Sequence, residues 1–340
     1  MRHLQNAWYM IGWDSELTPG SLLARTLAER PIVVFRNPDN DLVALEDTCP
    51  HRFAPLSMGT IRDGNIYCGY HGLGFGPDGQ CVHNPHGPVL RAASVHSYPV
   101  LEQNGILWVW LGDPNRARSS SPPDFSFLDA TPDTAKRAGY MHTQANYELC
   151  VDNILDLSHA DFMHPGSLGG GATTRTRSQA EDDGDCVSLH WNMKDETPLP
   201  FISYEFPGHD RLDQWLDVRW MAPGVMYLEA GGGLPGRSRE ESINTFNLHI
   251  MMPETEVTTH YFYCNTRNYK QHDTAYHSVF SDALQAAFQT EDKPMLEAQQ
   301  RRVGSRQFMA MKPLLLPSDH GTVRVRRKLE SMISAEEAQA

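Results

Sequence analysis

Apolar positions recur along this chain in two different patterns, and the change between them divides it in two. From Pro31 to Leu111 the apolar stretches are short: Ile32-Val33-Val34-Phe35, Leu42-Val43-Ala44-Leu45, and Ile106 to Leu111 with its Trp108 and Trp110. Each is rich in β-branched or aromatic residues and is bounded by Gly, Pro or Asp-Gly, the signature of short antiparallel strands joined by tight turns. Residues 1–123 therefore read as a small antiparallel β domain. Arg116 to Pro123, polar and ended by Pro122-Pro123, reads as a linker, and residues 124–340 read as a second domain, as the length of 340 allows.

Beyond the linker the period lengthens. A helical segment is expected over Tyr147 to Met163, followed by alternating runs at Leu212 to Met221, Ser242 to Met251 and Val257 to Cys264 that read as strands of an antiparallel sheet. From His277 to Arg302, Leu284, Phe288 and Met295 fall on related turns, which predicts a helix covering that sheet. Strands and helices are segregated rather than alternating, so the class is α+β. Gly169-Gly170-Gly171 and the stretch Gly231 to Gly236 are expected as turns or mobile loops.

Charge and composition narrow the function. The formal net charge is −13 and the short Arg groups form no basic patch, which excludes a nucleic-acid partner. The run Ile106 to Leu111 is far too short to span a bilayer, so no membrane segment is expected. The apolar stretch Ala7 to Trp13 is followed at once by Asp14 and Glu16, without a cleavage site, and a cytoplasmic location is expected. The six cysteines show no disulfide framework, in keeping with a reducing compartment.

Two of those cysteines have a different use. Cys49-x-His51 and Cys68-x-x-His71 stand sixteen residues apart, each pair in a short turn with Pro or Gly. Two thiolates on one iron and two imidazoles on the other hold a Rieske [2Fe–2S] cluster, whose neutral ligands raise its potential so that it passes single electrons. A structural Cys₂His₂ zinc site is the alternative, but zinc motifs usually pair like ligands in each half. Gly74-Phe75-Gly76-Pro77-Asp78-Gly79 matches a dinucleotide fingerprint only as a string. It sits beside the second ligand pair and runs on into the turn-like His83-Asn84-Pro85-His86-Gly87, where the fingerprint needs a helix. With no nicotinamide or flavin site, the electrons must come from another protein.

The electrons need a destination, and the segment Asn153 to Pro165 supplies one. Asp156 and His159 are i, i+3 neighbours. His164, five residues on, would be turned by about 140° on a continuous helix. Pro165 pushes His164 out of the α region, so the helix should end by Met163 and let His164 turn back. Two histidines and a carboxylate form the facial triad of a non-haem iron(II) oxygenase, with positions left open for O₂ and substrate. Asp292, beside Pro294 in the late helix, is the best third ligand, with Glu291 and Asp161 as competitors.

These residues resemble a family. Asn6-Ala7-Trp8-Tyr9, Cys49-Pro50-His51-Arg52 with Ala54-Pro55-Leu56-Ser57, Tyr70-His71-Gly72-Leu73 and His83 to Gly87 are similar to the Rieske non-haem iron oxygenase α subunits. So are Val151 to His159, His249-Ile250 with Pro253-Glu254-Thr255, and Glu291-Asp292-Lys293. Within that family the chain is most similar to the group of vanillate O-demethylase and dicamba monooxygenase. The resemblance implies an N-terminal Rieske domain and a C-terminal helix-grip domain in a head-to-tail homotrimer. It places the third iron ligand on Asp292 and a bridging carboxylate on Asp156, between His159 and His71 of a neighbouring subunit, with Asn153 in support. NADH electrons would arrive through a separate reductase, with or without a ferredoxin.

The resemblance also implies a pocket, in which His249 matches the family's pocket histidine. A pocket asparagine position falls on Leu228 and a tryptophan position on Ala283, nine residues before Asp292. Losing donors for a carboxylate leaves an anion unpaired, so a neutral aromatic ether or N-alkyl compound of chloroacetanilide type is the expected substrate. Hydroxylation beside oxygen or nitrogen then gives a hemiacetal or hemiaminal that collapses to an aldehyde. Two rivals remain at this level: a ring cis-dihydroxylating dioxygenase, which releases no aldehyde, and a non-enzymatic Rieske electron carrier, which has no second metal.

Overall fold

The computed structural model describes residues 3–89, 91–304 and 307–339. The chain divides into two compact units, His3–Ser126 and Phe127 onward. In the first, three small antiparallel sheets form. Trp8–Trp13 pairs with Ile106–Trp110, whose five residues are all buried. A second sheet is built on Arg30–Arg36 and Leu42–Glu46, and a third runs Thr60–Arg62, Asn65–Tyr67, Gly74–Phe75, Cys81–His83. Val33, Phe35, Leu45, Leu56, Ile66 and Phe75 close over Cys49 and Cys68 in one core cluster. The string that mimics a dinucleotide loop is a hairpin. Gly79 takes φ +79°, and a Cβ there would lie 2.0 Å from the Val95 carbonyl oxygen.

The second unit is a seven-stranded antiparallel sheet. Its strands are β1 (Lys136–Thr143), β2 (Gln179–Asp183), β3 (Cys186–Glu196), β4 (Leu212–Met221), β5 (Val225–Gly233), β6 (Ile243–Thr255) and β7 (Thr258–Arg267), ordered β1-β7-β6-β5-β4-β3-β2. The helices are α1 (Tyr147–Leu155), α2 (Thr274–Ala286), α3 (Lys293–Val303) and α4 (His320–Glu337), with a π-helical segment at Ala287–Asp292 between α2 and α3. The α+β class and the antiparallel catalytic sheet are as expected. Among the described residues no helix is long and apolar enough to cross a membrane, and all six cysteines are free.

Three expectations are corrected. The helix over Tyr147 to Met163 is broken at Asp156, which has φ −121° and ψ 83° and separates α1 from a short turn at Leu157–His159 and a one-turn helix at Ala160–Met163. The π segment carries an extra residue per turn and shifts the helical phase. Met295 is therefore 49% exposed, while Leu296 takes the buried position. The glycines from Gly231 to Gly233 are not a mobile loop but the buried end of β5, where a Cβ on Gly231 would lie 2.3 Å from the Trp215 ring. Gly169 is likewise packed, its Cβ position 2.0 Å from the Ala160 carbonyl oxygen.

Candidate metal centres and substrate cavity

The two Cys/His pairs of the first unit sit in matching turns. The Cys49 amide donates to the Ala54 carbonyl at 2.9 Å and the Phe53 amide to the Cys49 carbonyl at 2.8 Å; Cys68 and Gly72 repeat this with Leu73 and Cys68 at 2.8 and 3.0 Å. Phe53 and Gly72 both take positive φ, 59° and 76°, closing each turn. Both thiols are buried, whereas His51 is exposed and His71 half-buried. The two imidazoles meet edge to face with centroids 4.6 Å apart. Burial raises the Cys49 thiol above its ordinary range and Cys68 adds to this, while the backbone N–H groups of His51 and Arg52 pull the other way by pointing at its sulfur. Two soft donors on the core side and two imidazoles toward solvent are the donor set of a Rieske cluster.

In the second unit His159, His164 and Asp292 converge, each offering a ligand atom within 4.8 Å of the others. Asp156 produces this geometry. It caps α1 at its C-terminus, and its carboxylate then accepts from the Ser158 amide at 3.1 Å and the Ser158 hydroxyl at 2.6 Å, starting the next turn. The His159 Nδ1–H donates to the Asp156 backbone carbonyl at 2.6 Å, which leaves Nε2 as the free ligand atom. The helix ends at Met163, as Pro165 requires, and His164 swings to 3.2 Å from Asp292 Oδ1.

Asp292 arrives from the opposite side, at the end of the π segment, where an altered turn redirects a side chain. Its Oδ1 lies 3.4 Å from His159 Nε2 and accepts a bond from the Asn153 amide at 3.1 Å. Burial works to raise this carboxylate, but the two histidines outweigh it and hold it well below the usual range. Burial lowers His164 while Asp292 and Glu291 raise it more, leaving it above its ordinary value.

The competitors for the third ligand have other work. Glu291 hydrogen-bonds the His164 Nδ1 and so orients that ring. Asp161 accepts from the amides of Gly170, Gly171 and Thr174 at 3.0, 2.7 and 2.8 Å, pinning the glycine turn. The role of Glu291 is absent from sequence spacing, since contact with His164 spans 127 residues.

An apolar cavity opens beside the triad. Ile154, Leu157, Leu168, Leu199, Phe201, Leu216, Leu228, Phe280, Leu284 and Phe288 line it together with His159, His164 and Asp292, and among the described residues no Lys or Arg does. His249 lies fully buried in the wall. Its Nδ1 bonds the Tyr261 hydroxyl at 2.9 Å, its Nε2 has no hydrogen-bond partner among the described residues, and burial pushes its pKa down to about 4, so the ring is neutral. Leu228 is in the wall. Ala283 is not: it is exposed on α2, because each helical residue turns by about 100° and the inward positions are Phe280 and Leu284. Thr245, Asn247 and Asn265 also line the cavity; the alternation Thr245-x-Asn247-x-His249 is the signal for the first two, and Asn265 joins them only through strand pairing. A larger cavity of about 390 Å³ between α1, α3 and α4 contains none of the ligand residues.

A Cys₂His₂ cluster site in a small β domain and a two-histidine, one-carboxylate site over an antiparallel sheet define a Rieske-type oxygenase. Residues 7–99 match the Rieske [2Fe-2S] domain family and residues 143–335 the vanillate O-demethylase oxygenase C-terminal domain family. The chain is 35% identical over 336 residues to the oxygenase component of chloroacetanilide N-alkylformylase from Rhizorhabdus wittichii, covering 98% of this chain and 96% of that one. It is 37% identical over 342 residues to the oxygenase component of dicamba O-demethylase from Stenotrophomonas maltophilia, covering 99% and 100%. The crystal structure of dicamba monooxygenase bound to 3,6-dichlorosalicylic acid superposes with a TM-score of 0.89 at 34% identity, covering 99% of this chain and 100% of that one. The chain belongs to the Rieske non-haem iron oxygenases, among the oxygenase components of the demethylases and dealkylases.

Proposed function

We propose that this chain dealkylates a neutral aromatic ether or N-alkyl amide, with Cys49, His51, Cys68 and His71 holding the cluster and His159, His164 and Asp292 the iron. When bound, these centres supply single electrons and activate O₂ for insertion into a C–H bond. The chain's own residues decide where. Leu228, Leu284, Phe280 and Phe288 exclude water and press a ring toward the triad, while His249 offers a neutral imidazole nitrogen to a polar substituent. Among the described residues no Lys or Arg side chain reaches this wall to pair a carboxylate, and burying an anion away from such a partner costs several kcal/mol or more. Hydroxylation beside oxygen or nitrogen yields a hemiacetal or hemiaminal, which releases an aldehyde and leaves a phenol or secondary amide. The relatives named for chloroacetanilide and dicamba support this reaction class.

The Asp156 carboxylate is assigned the electron bridge. Because His159 is tied to Asp156, a path that reaches this residue reaches the iron ligand. The reading places His71 of a neighbouring subunit on the other side of Asp156 in a homotrimer. Electrons come from NADH through a reductase or a ferredoxin and reductase, and a cytoplasmic location suits six free cysteines.

The triad opening onto an apolar cavity that holds His249 carries this reading. Its test is a screen of aryl methyl ethers, N-alkoxyalkyl anilides and carboxylated ethers with surrogate donors. Aldehyde released in equal amount to a phenol or secondary amide is expected; a cis-diol without aldehyde would overturn the proposal.

A further inference from the structure

Thr245, Asn247 and His249 occupy alternate positions of β6, and Asn265 on β7 stands opposite Asn247 across the strand pair. All four line the cavity. Polar groups in an otherwise apolar wall are costly unless each is hydrogen-bonded. Their bonds run in one direction. The Thr245 hydroxyl donates to the Ala230 carbonyl at 3.0 Å, so its oxygen is free to accept from Asn247 Nδ2 at 3.2 Å. Asn247 Nδ2 also approaches the Leu228 carbonyl at 3.3 Å, and its Oδ1 accepts from Asn265 Nδ2 at 2.7 Å.

This relay fixes both amide orientations, since reversing either would set oxygen against oxygen. What remains is the Asn265 Oδ1, on a residue only 5% exposed, which accepts no hydrogen bond among the described residues. The cross-strand neighbour Arg137 is held by Asp282 and supplies no cation to the cavity.

We propose that Asn265 is a specificity-determining residue whose Oδ1, oriented through Asn247 and Thr245, accepts a hydrogen bond from an N–H or O–H group of a neutral aromatic substrate. Carboxylates and sulfonates carry only acceptor oxygens and are turned away by the same carbonyl. This assignment rests on the dealkylation reading for the identity of the cavity, and it narrows the substrate to aromatics with a hydrogen-bond donor.

The test measures Kd by anaerobic titration calorimetry on the oxidised holoenzyme, where nothing turns over. The probes are 2-methoxyphenol, 1,2-dimethoxybenzene, in which a methyl group replaces the donor hydrogen, and 2-methoxybenzoate. The wild type should bind 2-methoxyphenol about tenfold more tightly than 1,2-dimethoxybenzene, as one buried hydrogen bond implies, and 2-methoxybenzoate weakest of the three. In Asn265→Leu and in the smaller Asn265→Ala, the phenol-to-ether ratio should fall to near one, while the reduced cluster keeps its spectrum and shows the variants folded. A wild-type ratio near one, a ratio kept in both variants, or no binding of 2-methoxyphenol would overturn the assignment. Formaldehyde release is scored separately. Its absence from both ethers, with donor-selective Kd values intact, would count against dealkylation and still uphold the role of Asn265.

Discussion

The Nδ1–H of His159 donates to the backbone carbonyl of Asp156, not to its carboxylate, at 2.6 Å. The contact that positions the ligand is therefore separable from the charge proposed to carry electrons. Asp156→Asn keeps the backbone bond, so both metals should stay bound while turnover falls by about 10- to 100-fold. Iron content and steady-state rate, measured on one preparation, check this. Wild-type turnover in the variant would remove the bridge.

Glu291 acts on the metal through His164. Replacing it with Ala strips the Nδ1 partner from a buried ring. Affinity at the triad should drop about 10- to 100-fold, with the cluster's absorption unchanged. Competition against a ferrous chelator gives the affinity, and an unaltered value would show that His164 needs no such support.

Leu228 separates neutral from anionic substrates in this account. Leu228→Asn adds an N–H donor to the wall, and the ratio of kcat/KM for a carboxylated ether to that for a neutral one should rise about tenfold. A wild type that already prefers the carboxylate would contradict the pocket reading.

His249 makes stability depend on pH. Its folded pKa, pushed down to about 4, lies below the ordinary value of 6.5, so the unfolded chain binds the extra proton first as pH falls. The stabilisation from keeping it neutral is present above pH 6.5 and is lost on the way down to about 4. Between pH 7 and 5 this group alone should cost about 2 kcal/mol. Urea unfolding of wild type and His249→Asn at both values should show the steeper loss in the wild type; equal slopes would mean that the ring is not held neutral.

Much of both candidate metal sites was legible because their proposed ligands lie close together in sequence: Cys49 with His51, Cys68 with His71, and His159 with His164 before a proline. The strand over Leu212 to Met221 was legible because Leu216, Val218 and Trp220 alternate with Asp217 and Arg219. Long-range partners were not. Glu291 on His164 and Asn153 on Asp292 are set by tertiary packing that no local pattern encodes. The π segment hid in a helical pattern and displaced Met295. The α4 helix was missed because its few buried apolar positions, Val325, Leu329 and Ile333, are separated by charged residues.

Iron counting on the purified, reconstituted chain decides whether two different iron centres share one polypeptide. About three irons per chain are expected, two in the cluster and one in the triad, falling to about two in His164→Ala with the cluster spectrum intact. A wild type with about two irons, unchanged by that substitution, or a colourless protein holding zinc, would contradict it.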